Sequence, residues 1–490
     1  MKSTKVSRVI FLIPLLASTA FLPTIASFGL NQRISGALPA EAGLQFLPLV
    51  QVSPDDSNTA TADPAACTSP PPVHTSASFH CYTPTDIRTA YDLNRLYSEG
   101  ITGAGETIVI VDAYGSPTAL SDLNFFSSTF GLPAPDLTIV NPTGTPSFSF
   151  SMHGVQVGWA FETSLDLQWA HAVAPNAKLV LIQGNPAETE GVQGFPSIFT
   201  GEQFAVTHYP GSVMSQSFAV TEQSFHSAAD VQVARFDQVY QQAASNFVTV
   251  LGSSGDTGTT NVIGGQGAST PKVLPFPTVN WPSSDPLVTS AGGTWLQFGW
   301  TWTPTSPTSL AFKTTPGSRT EVVWNEPYLP VATGGGRSVL FSTPAFQSSI
   351  ASTVLLGARG LPDVSWNSAV NGGVLVFTSF PGARVGWHTV GGTSAASPQL
   401  AGLVALTNQI ADNLGKSHHV GYLNPLLYNL PSSAFHDIVP HTFGTVTLDS
   451  NALFGFGIAG MSTTAGWDLT TGFGSPDGHD FAHDLASALP

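Results

Sequence analysis

Charge is what this chain has least of. Asp, Glu, Lys and Arg together make up only 9% of its 490 residues, where a globular protein usually carries about a quarter. Lys and Arg number 15 against 31 Asp and Glu, for a formal net charge of -16, which argues against a polyanionic partner such as nucleic acid. So few groups titrating between neutral and acid pH also limit the repulsion that drives acid unfolding, which fits an acidic habitat. Cysteine is scarce too. Cys67 and Cys81 are the only two, so one local disulfide is the most the chain can form, and two free thiols are the alternative. Long apolar runs are missing after the first thirty residues. What the chain does have is 42% hydrophobic residues, 48 Gly and 38 Pro, enough for a sizeable core under a neutral, turn-rich surface.

The single long apolar run, "VIFLIPLLASTAFLPTIASFGL", follows the basic start "MKSTKVSR" and reads over residues 1–30 as a secretory signal, with a membrane anchor as the competing reading. Residues 31–81 are rich in Pro, Ala, Ser, Thr and Asp without sustained periodicity, the pattern of a leader or linker. Folded sequence is expected from there to residue 490. "ETIVIVDAY", "AKLVLIQG" and "NFVTVLGSSGD" read as buried strands; "HGVQVGWAFETSLDLQWAHAVA", "FDQVYQQAAS" and "SPQLAGLVALTNQIADNLG" read as helices. Strands alternating with helices imply an α/β protein with a parallel sheet covered on both faces. In such sheets function gathers in the loops after the strands.

Three stretches carry potential chemistry. In "GGTSAASPQL" Ser394 sits at the start of a helix, where backbone N–H groups and the helix dipole favour a developing anion. Small residues that merely allow close packing are the alternative for this stretch taken singly. In "WAFETSLDLQWAHAVAP" Glu162 and Asp166 lie four apart and share one helical face between Trp159 and Trp169. On a surface helix they would be two solvated carboxylates. In an apolar setting they disfavour double ionisation, and one keeps its proton in mild acid. In "VLGSSGDTG" Asp256 occupies a Gly/Ser loop after a strand. It is either a turn former or, if protonated, a hydrogen-bond donor able to stabilise an oxyanion.

Together these pieces resemble the sedolisins, serine-carboxyl peptidases with a subtilisin-like fold. The resemblance runs from about residue 82 to the C-terminus through "GWAFETSLDLQWAHAVAP", "SSGDTG", "FPTVNWPSSDPLVTSAGGT", "EVVWNEP", "GGGRSVLFSTPAFQ", "RGLPDVS", "GGTSAASPQLAG" and "GWDLTTGFGSP". It implies a parallel seven-stranded sheet flanked by helices. Ser394 would be the nucleophile, Glu162 the general base and acid, Asp166 its orienting partner and Asp256 the oxyanion-hole acid. Asp112, after the strand "IVIVD", would extend the carboxyl network behind Asp166. Carboxylates suit such a task in acid, because their unperturbed pKa values lie near 4 whereas a histidine at that pH is mostly protonated.

By the same resemblance "FHDIVPH" and "TTAGWDLTTGFG" would hold one structural Ca²⁺ through the side chains of Asp437 and Asp468 and the carbonyls of Ile438, Thr464 and Gly466. Thr464 stands where the family usually has glycine, which would strain the loop. Family members typically carry a large folded prosegment, whereas only about fifty residues of low pattern lie here between signal and catalytic domain. The expectation is thus a secreted, extracellular, monomeric acid endopeptidase acting on polypeptides, without stable membrane association once the signal is cleaved. Three other readings compete. A neutral subtilisin-type triad would use Asp112, His153 and Ser394, which follow that family's order. A non-catalytic secreted binding protein would keep the same fold. A glycosidase using Glu162 and Asp166 fares worst, because its carboxyls must flank the scissile bond.

Overall fold

The computed structural model describes residues 47–48, 51–52, 80–148, 155–184, 195–225, 233–263, 272–306, 309–326, 329–444 and 446–490. All belong to one compact unit, Ile34–Pro490. The signal segment, His153 and Cys67 fall outside the described residues, and Cys81 is disulfide-bonded.

Its centre is a sheet of β1 (Thr107–Ala113), β2 (Asp136–Val140), β3 (Lys178–Gly184), β4 (Val213–Gln216), β5 (Thr249–Ser253), β6 (Thr289–Ser306), β7 (Ser309–Val323) and β8 (Val364–Asn367). Seven of these run parallel in the order β2-β3-β1-β4-β5-β6-β8. The eighth, β7, is antiparallel and pairs with β6 from Thr294↔Val323 outward. The seven parallel strands match the expectation, while the long β6–β7 hairpin was not foreseen.

Period-2 alternation assigns the two sheet faces. Ile108, Ile110, Leu179, Leu181, Val213 and Leu251 are buried with residues of α1 (Ala119–Thr129), α2 (Val155–Val173) and α5 (Thr393–Asn413). Val109, Val111, Val180, Ile182, Met214 and Val250 are buried with residues of α3 (Phe195–His208) and α4 (Val233–Ser245). Strands buried on both sides read as continuous apolar runs, which is why "IVIV" and "LVLI" were legible. Among the described residues, no helix is long and apolar enough to cross a membrane.

The order places the change of winding direction between β1 and β4. Chains leaving their carboxyl ends diverge to opposite sides and open a crevice there. Asp112 lies near the end of β1, Ser217 directly follows β4, and Asp256 follows β5 by three residues.

Two short stretches of the leader also pair with the domain. Leu47–Pro48 runs antiparallel to Phe218–Thr221, with Leu47↔Ala219 and Pro48↔Phe218. Gln51–Val52 runs antiparallel to Gly386–Gly391, with Gln51↔Gly391 and Val52↔Val390.

Candidate active site

Ser394 enters the site on the first turn of α5. The helix begins at Thr393, four residues before the helical stretch read from the sequence, and two glycines explain how. Gly392 has φ +105°, a backbone conformation open to glycine, and Gly391 has no room for a Cβ, which would meet the Ser368 carbonyl at 2.6 Å. Pro398 lies inside the helix and has no N–H to give the carbonyl four residues back, that of Ser394. The Ser217 hydroxyl stands 3.5 Å from that orphaned carbonyl.

Glu162 and Asp166 arrive on one face of α2, which packs directly against α5. Two tryptophans hold the helix in place. Trp159 and Trp169 are both fully buried, and the Trp169 indole N–H donates to the Leu375 carbonyl at 2.8 Å. Gln168 locks the same strand from both sides, donating to Phe377 O at 2.7 Å and accepting from Phe377 N at 2.9 Å. Glu162 and Asp166 are both 0% exposed, so the solvated surface pair is excluded.

The electrostatics follow from that burial. The Glu162 carboxyl is pushed well above the usual carboxylate range by desolvation first, then by the charges of Asp166 and Asp112, with a further push from Asp256. The nearby Ser394 hydroxyl pulls the other way, by favouring the charged form, although neither Glu162 oxygen makes a hydrogen bond of ordinary geometry. Asp166 is likewise raised by burial and by Asp112. Asp112 is raised to about 7 by burial, opposed by the Thr163 hydroxyl. Three carboxyls thus sit dry and mutually exposed, with Asp112 behind the helical pair. Both oxygens of Asp112, both of Glu162 and Oδ2 of Asp166 lack a donor. An ionised carboxylate only accepts, so protons shared within the cluster are what would satisfy these atoms.

Asp256 reaches the start of α5 beside Ser394. Its Oδ1 accepts from the Thr393 N–H and from the Thr393 hydroxyl, each at 2.8 Å. The residue before the serine therefore fixes how this carboxyl is turned. Ser217 completes the group. Its hydroxyl donates to Asp166 Oδ1 at 2.9 Å, and its carbonyl lies 3.5 Å from the Ser394 hydroxyl. Ser394, Glu162, Asp166 and Asp256 are therefore gathered in one buried site with Asp112. Sequence reading missed Ser217 and Thr393 as members; polar residues that act through hydrogen bonds across the fold leave no signature in spacing. The rival triad's His153 lies outside the described residues.

At the suggested calcium loop, both carboxylates grip one turn. Asp437 Oδ2 accepts from Gly466 N at 2.9 Å, and Asp468 Oδ2 accepts from Thr464 N at 2.9 Å. Asp468 Oδ1 is engaged with the backbone N–H groups of Thr470 and Thr471. Two segments, at Asp437 and at Thr464–Asp468, are thus brought together, and oxygen donors of this kind fit a hard cation. Thr464 does not take a left-handed conformation, whereas Gly466 does, at φ +77°. The threonine therefore imposes none of the strain expected of it.

A parallel α/β sheet carrying a serine at a helix start, opposed by buried carboxyls, defines a subtilisin-like fold with a serine-carboxyl site. Comparison with known proteins narrows the class. Kumamolisin from Bacillus sp. (strain MN-32) is 32% identical over 416 residues, 82% of this chain and 63% of its own length. Sedolisin from Pseudomonas sp. (strain 101) is 29% identical over 81% of this chain and 60% of its own length. The solved structure of Pseudomonas sedolisin, a serine-carboxyl proteinase complexed with pseudo-iodotyrostatin, superposes with a TM-score of 0.62 at 27% identity. It covers 84% of this chain and 100% of that one. No family model matches. The chain belongs to the sedolisin family, and it spans about three fifths of the length of these two curated relatives.

Proposed function

We propose that the protein is a secreted serine-carboxyl endopeptidase that works in acid. The observation that carries this reading is the burial of Ser394 together with Glu162, Asp166 and Asp112, whose carboxyls are raised by one another and by desolvation. A coupled cluster gives up its protons in steps, so its first ionisation, on the acid side, would leave Glu162 as the base while its partners keep their protons.

In the proposed reaction the Ser394 hydroxyl attacks the peptide carbonyl and its proton passes to Glu162. Asp166 takes up the charge change on Glu162, and protonated Asp256 donates to the oxyanion. Glu162 then gives its proton to the leaving amine, and water, activated by Glu162 in turn, hydrolyses the acyl-serine. A polypeptide would lie along Phe218–Thr221 as an added strand. That edge accepts Leu47–Pro48 of the chain itself in antiparallel pairing. The Asp437/Asp468 loop is the proposed seat of one Ca²⁺, whose role there would be to stiffen the turn between Thr464 and Asp468.

Asp112 is engaged with the carboxyl cluster, which disfavours the neutral Asp112/His153/Ser394 triad. The test is mass-spectrometric detection of new peptide termini after incubation of an unfolded polypeptide with the protein at about pH 4, beside Ser394→Ala. Cleavage abolished in the variant is expected. A folded protein that cuts nothing would leave the binding-protein reading, and a variant that cuts equally well would remove Ser394 from the reaction.

A further inference from the structure

Three donor side chains meet on the surface far along the chain from the catalytic serine's neighbours in sequence. α6 (Gly478–Ala488) carries His479 and His483, four residues apart and so on one face, with ring centroids 4.6 Å apart. Glu99 caps the C-terminal end of the short helix Leu93–Ser98 and reaches between them. Its Oε1 lies 2.9 Å from His479 Nε2 and its Oε2 lies 2.8 Å from His483 Nε2. One ligand atom from each of the three residues lies within 4.8 Å of the others.

From this we infer a site for a divalent transition-metal ion, Zn²⁺ by its ligand chemistry, formed by Glu99, His479 and His483.

Two observations favour a cation over a plain polar contact. First, His479 Nδ1 lies 2.8 Å from Asp480 Oδ1, and Asp480 is 3.6 Å from Arg95 Nη1. A carboxylate at Nδ1 fixes that nitrogen as the N–H donor and turns the Nε2 lone pair toward the open side, the arrangement that orients ligating histidines. Second, that lone pair then faces a carboxylate oxygen, and two acceptors at this distance need a proton or a metal ion between them. Two imidazole nitrogens and one carboxylate oxygen are a three-ligand zinc set, with water in the fourth position. Ligand bonds of about 2.0–2.2 Å at tetrahedral angles place the donor atoms about 3.3 Å apart. The Glu99 side chain, 41% exposed, is free to open by the required fraction of an ångström. His479 is only 13% exposed, so one ligand is already held by packing.

The ion would fasten α6, which packs on the Ser394 helix α5, to the N-terminal helices of the domain. Binding to the folded state alone raises stability by mass action.

The test is calorimetric titration of Zn²⁺ into the metal-stripped, calcium-reloaded protein at about pH 7.5, above the ordinary imidazole pKa, with thermal unfolding read in parallel. The expected result is one Zn²⁺ per chain at micromolar affinity and a rise in Tm of several degrees. Both should be lost in His483→Ala and weakened at least tenfold in Glu99→Gln. Each variant must match the metal-free parent's Tm. His483 is 38% exposed, so its replacement is compatible with folding even if His479→Ala is not. Binding that survives unchanged in both His483→Ala and Glu99→Gln, or no binding tighter than about 100 µM, would overturn the site.

Discussion

Ser217 and Asp166 are joined by a 2.9 Å hydrogen bond from hydroxyl to carboxylate, and the same serine lends its carbonyl to the neighbourhood of the Ser394 hydroxyl at 3.5 Å. One residue thus touches both sides of the proposed proton path. The bond favours the ionised form of Asp166 against the burial that raises it. Ser217→Ala should therefore raise the Asp166 pKa further and lower kcat by about tenfold, the worth of one buried hydrogen bond to a charged group. Steady-state kinetics on a peptide substrate would show it, with KM little changed. An unaltered kcat would remove Ser217 from the path.

Stability should be greater in acid than at neutrality. Asp112 and Glu326 are raised to about 7, each chiefly by burial, and Glu162, Asp166 and Glu202 are raised well above their usual range. A carboxyl whose folded pKa exceeds its unfolded one contributes stability that is complete below about pH 4 and lost as pH rises through the folded value, near 7 for the first two. His80 and His171 oppose this, being lowered by burial to about 3 and about 4; their contribution is present above about pH 6.5 and fades as pH falls. The carboxyls outnumber them. Differential scanning at about pH 4.5 and 7.5 should give the higher Tm in acid, and the reverse order would contradict the coupled-carboxyl account.

Much of this was legible in the sequence, and what was not has a physical reason. Buried strands such as β1 and β3 announce themselves because both faces are covered and their central runs, "IVIV" and "LVLI", are apolar. Ser394 and Asp256 stand out by their places at a helix start and after a strand, and Glu162 and Asp166 by the helical face they share between Trp159 and Trp169. The start of α5 was placed four residues late, since Gly391 and Gly392 look like loop residues until the close approach of Ser368 explains them. The β6–β7 hairpin escaped notice because Gly, Thr and Pro punctuate it throughout. Ser217 is joined to the site, and Glu99 to the His479/His483 pair, only by the tertiary fold. No local period encodes such contacts.

Calcium should stabilise the loop held by Asp437 and Asp468. Chelation with EGTA should lower Tm by several degrees, consistent with about 2.7 kcal/mol lost when an ion present at a hundredfold over its Kd is removed. Ca²⁺ but not Mg²⁺ should restore it, since the smaller ion demands a stricter octahedron. Asp437→Ala should start at the lower Tm and ignore the chelator; an Asp437→Ala protein that responds like the parent would move the ion elsewhere.

The measurement closest to the central claim is the pH dependence of kcat/KM on an unfolded polypeptide from about pH 2 to 8 for the parent, Ser394→Ala and Glu162→Gln. The carboxyl mechanism predicts an optimum near pH 3 to 5, activity abolished in Ser394→Ala and reduced about 10²- to 10⁴-fold in Glu162→Gln. A neutral optimum that survives Glu162→Gln would contradict it and pass the role of base to another residue.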